Sequence, residues 1–428
     1  MSQNSHQRIV SFWRSFGPGL LWAAAAIGVS HLVQSTRAGA TAGLALAGVI
    51  LLALILKYPF FEYGPRYAAA TGMSLVEGYR HIGRWALWLY FFITVTTSVV
   101  IQTAIILFTS FLLRYAFGIN WPLSAVGAAL LLACALLLWL GRFALLDRAV
   151  KVILVILAVS TIAAALVALD RVDGSSMTLL PGVGDGVGLV PFAFILALVG
   201  WMPSAIDISV WSSLWTLAKD QTAGTRTSVV MARLDFGIGY VGTGFLAFCF
   251  LILGAGVMFG SGHDFSPAGT IFSTQLVDLY ATTLGRWTRP IVLVAVLTTM
   301  LSTTITVVDG FPRAIERTWI NLAPGHTDER GVPTAGRVYW TALLVLAALT
   351  VLVLGVFAGN LTTMVDFATI ISFLTAPVLG YLNLRAVTSR QVAPEHRPGR
   401  AMLILSWVGL VLLGGTAAVY LVSRLSVI

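Results

Sequence analysis

The sequence predicts an all-α polytopic membrane protein with about eleven transmembrane helices. Of its 428 residues, 58% are hydrophobic and only 10% are charged, whereas about 25% of the residues in an ordinary soluble domain are charged. The mean hydropathy is +0.91. The apolar residues also form long runs, and about 20 apolar residues are needed for a helix to cross the bilayer core. Composition and run length therefore predict a protein that lies within the lipid bilayer.

Each apolar run is expected to be helical, because an irregular segment or open strand facing lipid leaves backbone groups without hydrogen bonds. The predicted spans are 17–38, 44–69, 85–115, 122–141, 144–169, 187–216, 234–259, 288–312, 338–358, 362–386 and 401–424. The moderately apolar segment 266–285 is predicted to be a loop or a short helix at the membrane surface. The segments 319–336 and 389–400 are rich in Pro, Gly and charged residues, which is typical of exposed connections.

Lysine and arginine predict the orientation in the membrane. When the connections are assigned alternately to the two sides, most of the 26 Lys and Arg residues fall on the side that holds the N-terminal segment 1–16. We therefore expect a cytoplasmic N-terminus and an external C-terminus in the cell (inner or plasma) membrane. The net charge of +9 is explained by this topology and by contact with lipid, so no nucleic-acid partner is expected. The oligomeric state is left open.

Two of the predicted spans contain helix breakers and polar residues at their middle. The first span reads GVSH at 28–31, and the sixth reads MPSA at 202–205. Pro203 removes a backbone donor and clashes with the preceding turn, so it breaks the helix directly. In transporters built from inverted repeats, helices interrupted at matching positions form the substrate site. Because these two spans are five helices apart, we predict that their breaks form one site.

The predicted substrate site takes its residues from both breaks. Asp207 is the only acidic residue near either break, and an ionisable residue at mid-membrane depth is a functional candidate because it is costly to place there. Asp is also a favoured helix N-cap, so a capping role for Asp207 is the alternative. The residues predicted to bind substrate are Gly28, Ser30, His31, Trp201, Met202, Ser204, Ala205 and Asp207.

These residues are compatible with more than one ligand. His31, Met202 and Asp207 are candidate ligands for a borderline metal ion, since softer metals accept His and Met. A hard cation would instead use Asp207 and other oxygen atoms. A small organic solute could place an ammonium group at Asp207 and a carboxylate at the N–H groups of the broken first helix. His31 has a purely structural alternative, which is a hydrogen bond to a hydroxyl or carbonyl group of a neighbouring helix.

Charged residues inside other predicted spans receive separate expectations. Glu62 and Arg66 are four residues apart, which predicts a structural ion pair on one helix face. Lys57 is expected either to extend towards the membrane surface or to pair with an acid on another helix. Arg37 is expected to attract anions or to hold an outer gate closed, and Asp366 to line an outer vestibule.

Four short stretches resemble a known family. They are GPG at 17–19, RAGATAG at 37–43, ATGMSLVEGYR at 70–80, and MPS followed by SSL within 202–214. Together they resemble the Nramp family of divalent-metal transporters, and the similarity extends over most of the chain. The resemblance implies a leucine-transporter-like fold with two inverted five-helix repeats, one extra helix and a site at the breaks of helices one and six.

The same resemblance implies the division of the chain. Residues 1–16 would form a cytoplasmic segment, 17–169 the first five-helix repeat, 187–386 the second and inverted repeat, and 401–424 the eleventh helix. At the site, the chain departs from the family's motifs. The first-helix motif Asp-Pro-Gly-Asn reads GVSH at 28–31, and the sixth-helix motif Met-Pro-His ends in a serine. The third span also lacks the acids that pass protons in the family. Transport of Mn²⁺ or Fe²⁺ at the family's usual affinity is therefore not expected, and proton coupling is expected to be weak or absent.

The sequence therefore predicts a secondary transporter or facilitator that moves a small cationic or zwitterionic substrate by alternating access. The first alternative is a divalent-metal transporter for Mg²⁺ or Mn²⁺ with a rearranged site. An alternative of another class is a membrane receptor or sensor derived from a transporter. The sequence contains no phosphate-binding loop that ends in Gly-Lys-Ser/Thr and no catalytic constellation, so neither an ATP-driven pump nor an enzyme is expected, and no cofactor.

Overall fold

The structure, a computed structural model, describes residues 17–141, 143–172, 190–262, 264–323, 335–356 and 360–426. Within these ranges the chain is helical apart from its connections and one isolated β-bridge between Ala268 and Asn360. Seven of the described helices are continuous, apolar and long enough to cross a membrane. The all-α prediction is confirmed.

The helices of the first half follow the predicted spans one to five. They are α1 (Pro18–Ala26), a π-helical turn (Ser30–Ser35), α2 (Thr36–Ala42), α3 (Ala47–Thr71), α4 (Leu75–Ile82), α5 (Arg84–Phe117), α6 (Leu123–Trp139) and α7 (Phe143–Leu169). The first span is thus divided into α1 and α2, and the short helix α4 lies in the connection after the second span.

The helices of the second half follow the predicted spans six to eleven. They are α8 (Phe192–Gly200), α9 (Ile208–Ala223), α10 (Val229–Val257), α11 (Gly269–Leu284), α12 (Arg289–Leu322), α13 (Arg337–Val356), α14 (Leu361–Val387) and α15 (Arg400–Leu425). The sixth span is divided into α8 and α9. Single 3-10 turns occur at Arg286–Thr288 and Pro394–His396.

Two sequence expectations differ from the observed helices. The segment 266–285 forms the helix α11, which buries Phe272, Leu276 and Tyr280. The eighth span was predicted to end at 312, but α12 continues to Leu322 because ion pairs stabilise polar turns beyond the apolar run. The part of the sixth predicted span before 190, and most of the connection 319–336, lie outside the described residues.

The packing partners of the spans repeat five helices apart. The first span, formed by α1 and α2, packs against α10 of the seventh span, and α9 of the sixth span packs against α3 of the second. In the same way, α5 packs against α14, and α12 packs against α7. This exchange of partners is the pattern expected from two related five-helix repeats.

Glycines allow the first span to approach α10 at backbone contact distance. A Cβ atom added at Gly39 would stand 2.0 Å from the carbonyl oxygen of Leu251, and one added at Gly254 would stand 2.1 Å from the carbonyl oxygen of Thr36. Small residues at such positions are the usual means of close helix packing in membranes. The α2 half of the broken first span is therefore held directly by the backbone of α10.

The substitution Gly254→Ala is expected to lower the free energy of unfolding by about 1–3 kcal/mol, because the added methyl group overpacks this contact. Gly242→Ala on the same helix is the matched control, since an added Cβ there meets nothing within 4 Å. Alanine is a better helix former than glycine, so the control should be at least as stable as the wild type. Thermal unfolding of the purified proteins in detergent measures both, and equal stability of the two variants would contradict the proposed contact.

Candidate functional site

The first span is interrupted just before its middle. Helix α1 ends at Ala26 because Ile27 adopts an extended backbone, with φ −77° and ψ 93°. The Ser30 hydroxyl donates to the carbonyl oxygen of Ala26 at 2.7 Å, which satisfies part of the exposed end of α1. Gly28 lies against α12, where an added Cβ would stand 3.0 Å from the Thr303 hydroxyl oxygen. The break is thus fixed by its own serine and by a neighbouring helix.

The imidazole of His31 faces α10. Its Nε2 lies 3.0 Å from the carbonyl oxygen of Thr243, and a carbonyl oxygen can only accept, so Nε2 is the donor. Its Nδ1 lies 2.8 Å from the Ser30 hydroxyl, and the ring meets the Phe250 ring edge-on. His31 is fully buried in these contacts. Its structural alternative, a hydrogen bond to a neighbouring helix, is confirmed.

The sixth span is interrupted for seven residues between Gly200, where α8 ends, and Ile208, where α9 begins. The Lys57 ammonium group of α3 donates to three backbone carbonyl oxygens at this break, those of Val199 at 3.0 Å, Gly200 at 2.9 Å and Ser204 at 2.8 Å. Lys57 is fully buried. The expectation that it extends to the surface or pairs with an acid is wrong, because the carbonyl end of a helix provides partial negative charge and unsatisfied acceptors.

A cavity of about 40 Å³ lies between the two breaks. A water molecule needs about 10–15 Å³ by this measure, so the cavity has room for about three water molecules or one small solute group. The side chains around it are mainly apolar. They are Ala25, Ala26, Val29, Ser30, Ile101, Ile105, Trp201, Ser204, Ala205, Asp207, Ile208, Trp211, Thr303, Val307 and Phe311.

From the set predicted to bind substrate, the cavity wall includes Ser30, Trp201, Ser204, Ala205 and Asp207. The wall thus combines residues of both interrupted spans. The hydroxyl of Ser30 is occupied by the contacts described above, and the Trp201 indole donates to the Ser372 hydroxyl of α14 at 2.8 Å. The carboxylate of Asp207 is therefore the wall group with the strongest unused capacity for a ligand.

The other three members of that set lie outside the cavity wall. Gly28 packs against Thr303, and His31 bonds to Thr243, as described above. Met202 is fully buried within the hydrophobic core. The three candidate metal ligands, His31, Met202 and Asp207, are therefore not brought together. Among the described residues, no group of three or more His, Cys, Asp and Glu side chains is placed to hold a metal ion.

Asp207 occupies the N-cap position of α9, but its side chain makes no capping hydrogen bond. One carboxylate oxygen, Oδ1, accepts from the Thr97 hydroxyl of α5 at 3.2 Å. The other oxygen, Oδ2, is buried, and none of the described residues forms a hydrogen bond to it. The capping role considered from the sequence is thus not observed, and the carboxylate retains an unused acceptor beside the cavity.

Several wall residues were not in the predicted set. They come from the first span and from α5, α9 and α12, and the polar or aromatic ones are Trp211, Thr303 and Phe311. Thr97 of α5 does not line the cavity but donates to Asp207, which does. The sequence signal for Thr97 and Thr303 is a group of threonines and serines within an apolar span, which also suits simple helix packing. The indole N–H of Trp211 is buried and has no acceptor among the residues that the structure describes, and this property is visible only in the structure.

An ion pair joins the first and tenth spans at one end of the bundle. Arg37 donates to both carboxylate oxygens of Asp366, at 2.7 and 3.1 Å, and Gln34 donates to the same carboxylate at 3.0 Å. The Arg37 guanidinium also stacks 4.9 Å from the centre of the Phe194 ring. The pair is partly exposed, with 15% and 29% of the two side chains accessible.

A more deeply buried pair lies at the opposite end of the bundle. Arg317 of α12 donates to Glu77 of α4 at 2.5 Å, and only 5% and 3% of the two side chains are accessible. Asn321 donates to the same Glu77 oxygen at 2.8 Å, while the second oxygen accepts from the backbone N–H and hydroxyl of Ser74. Since α3 returns across the bundle before α4, this pair lies at the end opposite Arg37.

A neighbouring group of charges connects α3 to α10. The expected pair of Glu62 and Arg66 is present at 2.8 Å, and Arg233 of α10 donates to the same carboxylate at 2.7 Å. At the start of the first span, Asp235 of α10 accepts from the backbone N–H groups of Gly17 and Gly19. The two hydrogen bonds to Asp235 fix the start of α1 against α10.

The chain was compared with known proteins. The family model described as natural resistance-associated macrophage protein-like matches residues 19–423. An uncharacterized protein of Pasteurella multocida (strain Pm70) is 34% identical over 419 residues, which cover 96% of this chain and 94% of that protein. Both comparisons extend over both breaks and over nearly the whole chain.

Solved transporter structures share the fold. A variant of the Eremococcus coleocola manganese transporter matches with a TM-score of 0.69 at 16% identity, over 97% of this chain and 87% of that chain. MhsT in complex with L-phenylalanine matches with a TM-score of 0.63 at 13% identity, over 95% and 98%. These similarities extend the leucine-transporter-like fold to this protein, and the chain belongs to the natural resistance-associated macrophage protein-like (Nramp) family.

Proposed function

We propose that this member of a transporter family is a secondary transporter or facilitator for a small cationic or zwitterionic solute, moved by alternating access. The observation that carries the proposal is the Asp207 carboxylate, which lines the cavity and leaves Oδ2 buried without a partner. A buried polar group without a hydrogen bond is costly. A solute with an ammonium group would supply the missing donor and compensate the charge.

The remaining wall supports the same class of solute. Trp201, Trp211 and Phe311 place aromatic side chains at the cavity, and such rings attract cations over their faces. The unpaired indole N–H of Trp211 is a donor that a solute carboxylate would accept from. A zwitterion is thus matched by one acceptor and one donor that the protein itself leaves unused.

The second candidate substrate is a divalent ion, Mg²⁺ or Mn²⁺. The family and the similar manganese transporter favour it, and Ser30, Ser204 and Thr303 add hydroxyl oxygens to the cavity wall. Mg²⁺ usually keeps several waters and uses one or two carboxylates, so a partly hydrated ion bound to Asp207 alone is chemically reasonable. A receptor derived from a transporter is the remaining alternative, and it would bind a solute without moving it.

We further propose that transport is not coupled to protons through α5, because residues 85–114 contain no Asp or Glu. The orientation proposed from the arginine distribution places the Glu77–Arg317 end in the cytoplasm and the Arg37–Asp366 end outside. Substrate uptake into reconstituted vesicles should therefore proceed without acidification of the lumen. Acidification that follows uptake would contradict this part of the proposal.

Thermal unfolding of the purified protein with methylammonium, glycine, Mg²⁺ and Mn²⁺ tests the substrate class, because a ligand of the folded state raises the midpoint of unfolding. We expect methylammonium or glycine to raise it. A shift with the metal ions alone would favour the second candidate, and a shift with none of the four would contradict both. Uptake of the active compound by vesicles then separates a transporter from a receptor, which would bind it without uptake.

A further inference from the structure

Lys57 is a buried cation that the substrate proposal does not use. It stands in the middle of α3, and none of its side chain is accessible. An ammonium group has three hydrogen-bond donors and no acceptor. Here each of the three has a carbonyl oxygen within 2.8–3.0 Å, so the group is fully coordinated without any carboxylate among these contacts.

The three carbonyl oxygens form a cluster of the kind that binds a cation. Val199 and Gly200 present the carbonyl end of α8, and Ser204 presents a carbonyl group from the interrupted stretch that follows. The carbonyl end of a helix carries a partial negative charge. In secondary transporters with broken helices, such carbonyl groups coordinate the mobile cation that accompanies the substrate. In this chain the same kind of carbonyl cluster is filled by a side chain.

We propose that Lys57 is a tethered cation that permanently occupies a monovalent-cation site at the break of the sixth span. The break therefore keeps its shape without a free monovalent cation, and no such ion has to bind there before the substrate. This inference deepens the proposed function, because it concerns the ion that would accompany transport through the same break. Its test compares the Lys57 variant with a control variant in the same salts, so that any effect of ammonium at Asp207 is common to both and failure of this inference can be distinguished from failure of the substrate proposal.

The contacts of Lys57 explain how one side chain can hold the break of the sixth span in place of a free cation. Val199 and Gly200 lie before the break and Ser204 lies within it, so the ammonium group joins both parts to α3. The Phe61 ring, one turn along α3, lies 5.6 Å from the ammonium group, and cations are attracted to such rings. Removal of the side chain beyond Cβ leaves a space of ammonium size with three carbonyl oxygens turned towards it.

The test is thermal unfolding of Lys57→Ala in ammonium chloride, potassium chloride and choline chloride at equal ionic strength. Ammonium and potassium ions have similar sizes and fit between oxygens at these distances, whereas choline is too large. We expect Lys57→Ala to unfold several degrees below the wild type in choline chloride, and to recover part of that loss in the other two salts. The recovery should saturate with ammonium concentration, as binding to the folded state requires.

Lys219→Ala is the control, because it removes a lysine near the end of α9, away from this break. Any rise that ammonium causes through Asp207 should be the same in Lys219→Ala as in the wild type, and Lys219→Ala should unfold at the same temperature in potassium chloride and choline chloride. If Lys57→Ala does not fold, Lys57→Ser is measured instead, since it also removes the ammonium group and leaves its space open to a free cation. Equal midpoints of the Lys57 variant in the three salts, or failure of both variants to fold in every salt, would overturn the proposal.

Discussion

Replacement of Asp207 by asparagine is expected to weaken solute binding by roughly 30-fold or more, because loss of one partner of a buried hydrogen-bonded charge pair costs about 2–5 kcal/mol. The measurement is the dissociation constant of whichever of methylammonium, glycine, Mg²⁺ and Mn²⁺ shifts the wild-type protein most. Asparagine keeps the shape of the side chain and an acceptor for the Thr97 hydroxyl. The loss can therefore be assigned to the charge.

The stability of the unliganded Asp207→Asn protein should change in the opposite direction. The wild-type carboxylate has a buried oxygen without a partner, and burial of an ionised group without a partner is unfavourable. Removal of its charge should leave the midpoint of unfolding unchanged or raise it. Weaker binding together with undiminished stability is expected when a binding residue is replaced, whereas replacement of a packing residue would lower the stability of the protein.

Asp309→Asn provides the matched control. Asp309 of α12 is also an acid within an apolar span, but it is satisfied by Arg313 and by the Tyr339 hydroxyl, each at 2.7 Å, and it does not line the cavity. This variant should lose stability and keep the affinity of the wild type. If Asp207→Asn bound the solute as tightly as the wild type, the carboxylate would have no role in binding.

Much of the fold was predictable because its causes are local in the sequence. In the described part of the chain, a helix or a pair of half-helices overlaps each run of apolar residues that was predicted to span the membrane, and Pro203 predicted the break of the sixth. Prediction of the first break required a further argument, because glycine is common in membrane helices as a packing residue. There the decisive argument was that residues 28–31 and 202–205 stand five spans apart.

The side-chain arrangement of the site was less predictable, because it depends on the rotation of each helix and on contacts between distant segments. His31 and Ser30 are adjacent in sequence, yet the serine lines the cavity and the histidine faces α10. Thr97 and Thr303 approach the site from α5 and α12, and a single sequence does not say which hydroxyl faces inward. The environment of Lys57 was unpredictable for the same reason. Every residue has a backbone carbonyl group, so the sequence does not show which carbonyl oxygens are free to accept a hydrogen bond from the ammonium group.

The ion pairs at the two ends of the site should differ strongly in strength. The Arg37–Asp366 pair is partly accessible to solvent, and exposed pairs typically contribute about 0–1 kcal/mol. The Glu77–Arg317 pair is almost fully buried, and removal of one partner of a buried pair costs about 3–5 kcal/mol. Both pairs are formed in this structure, and the cavity between the breaks is small. The Arg37 end should therefore open more easily.

Arg317→Met is expected to release the buried end and to expose the cavity from that side of the membrane. Methionine keeps the apolar contacts of the arginine stem, while Glu77 retains only Ser74 and Asn321 as partners. Accessibility is read from a single cysteine at Ala205, a residue of the cavity wall, in a protein whose buried Cys134 and Cys249 are replaced by alanine.

In vesicles, a membrane-impermeant maleimide added to the Glu77 side should label Ala205→Cys at least several-fold faster when Arg317→Met is present. Asp366→Asn is the matched variant for the other end, and it should increase labelling only from the Arg37 side. If Arg317→Met increased labelling from the Arg37 side, or if both variants acted on the same side, the two pairs would not be opposing closures. Labelling from opposite sides would instead mean that the charge pairs decide which side of the membrane the cavity meets, which is the property that alternating access requires.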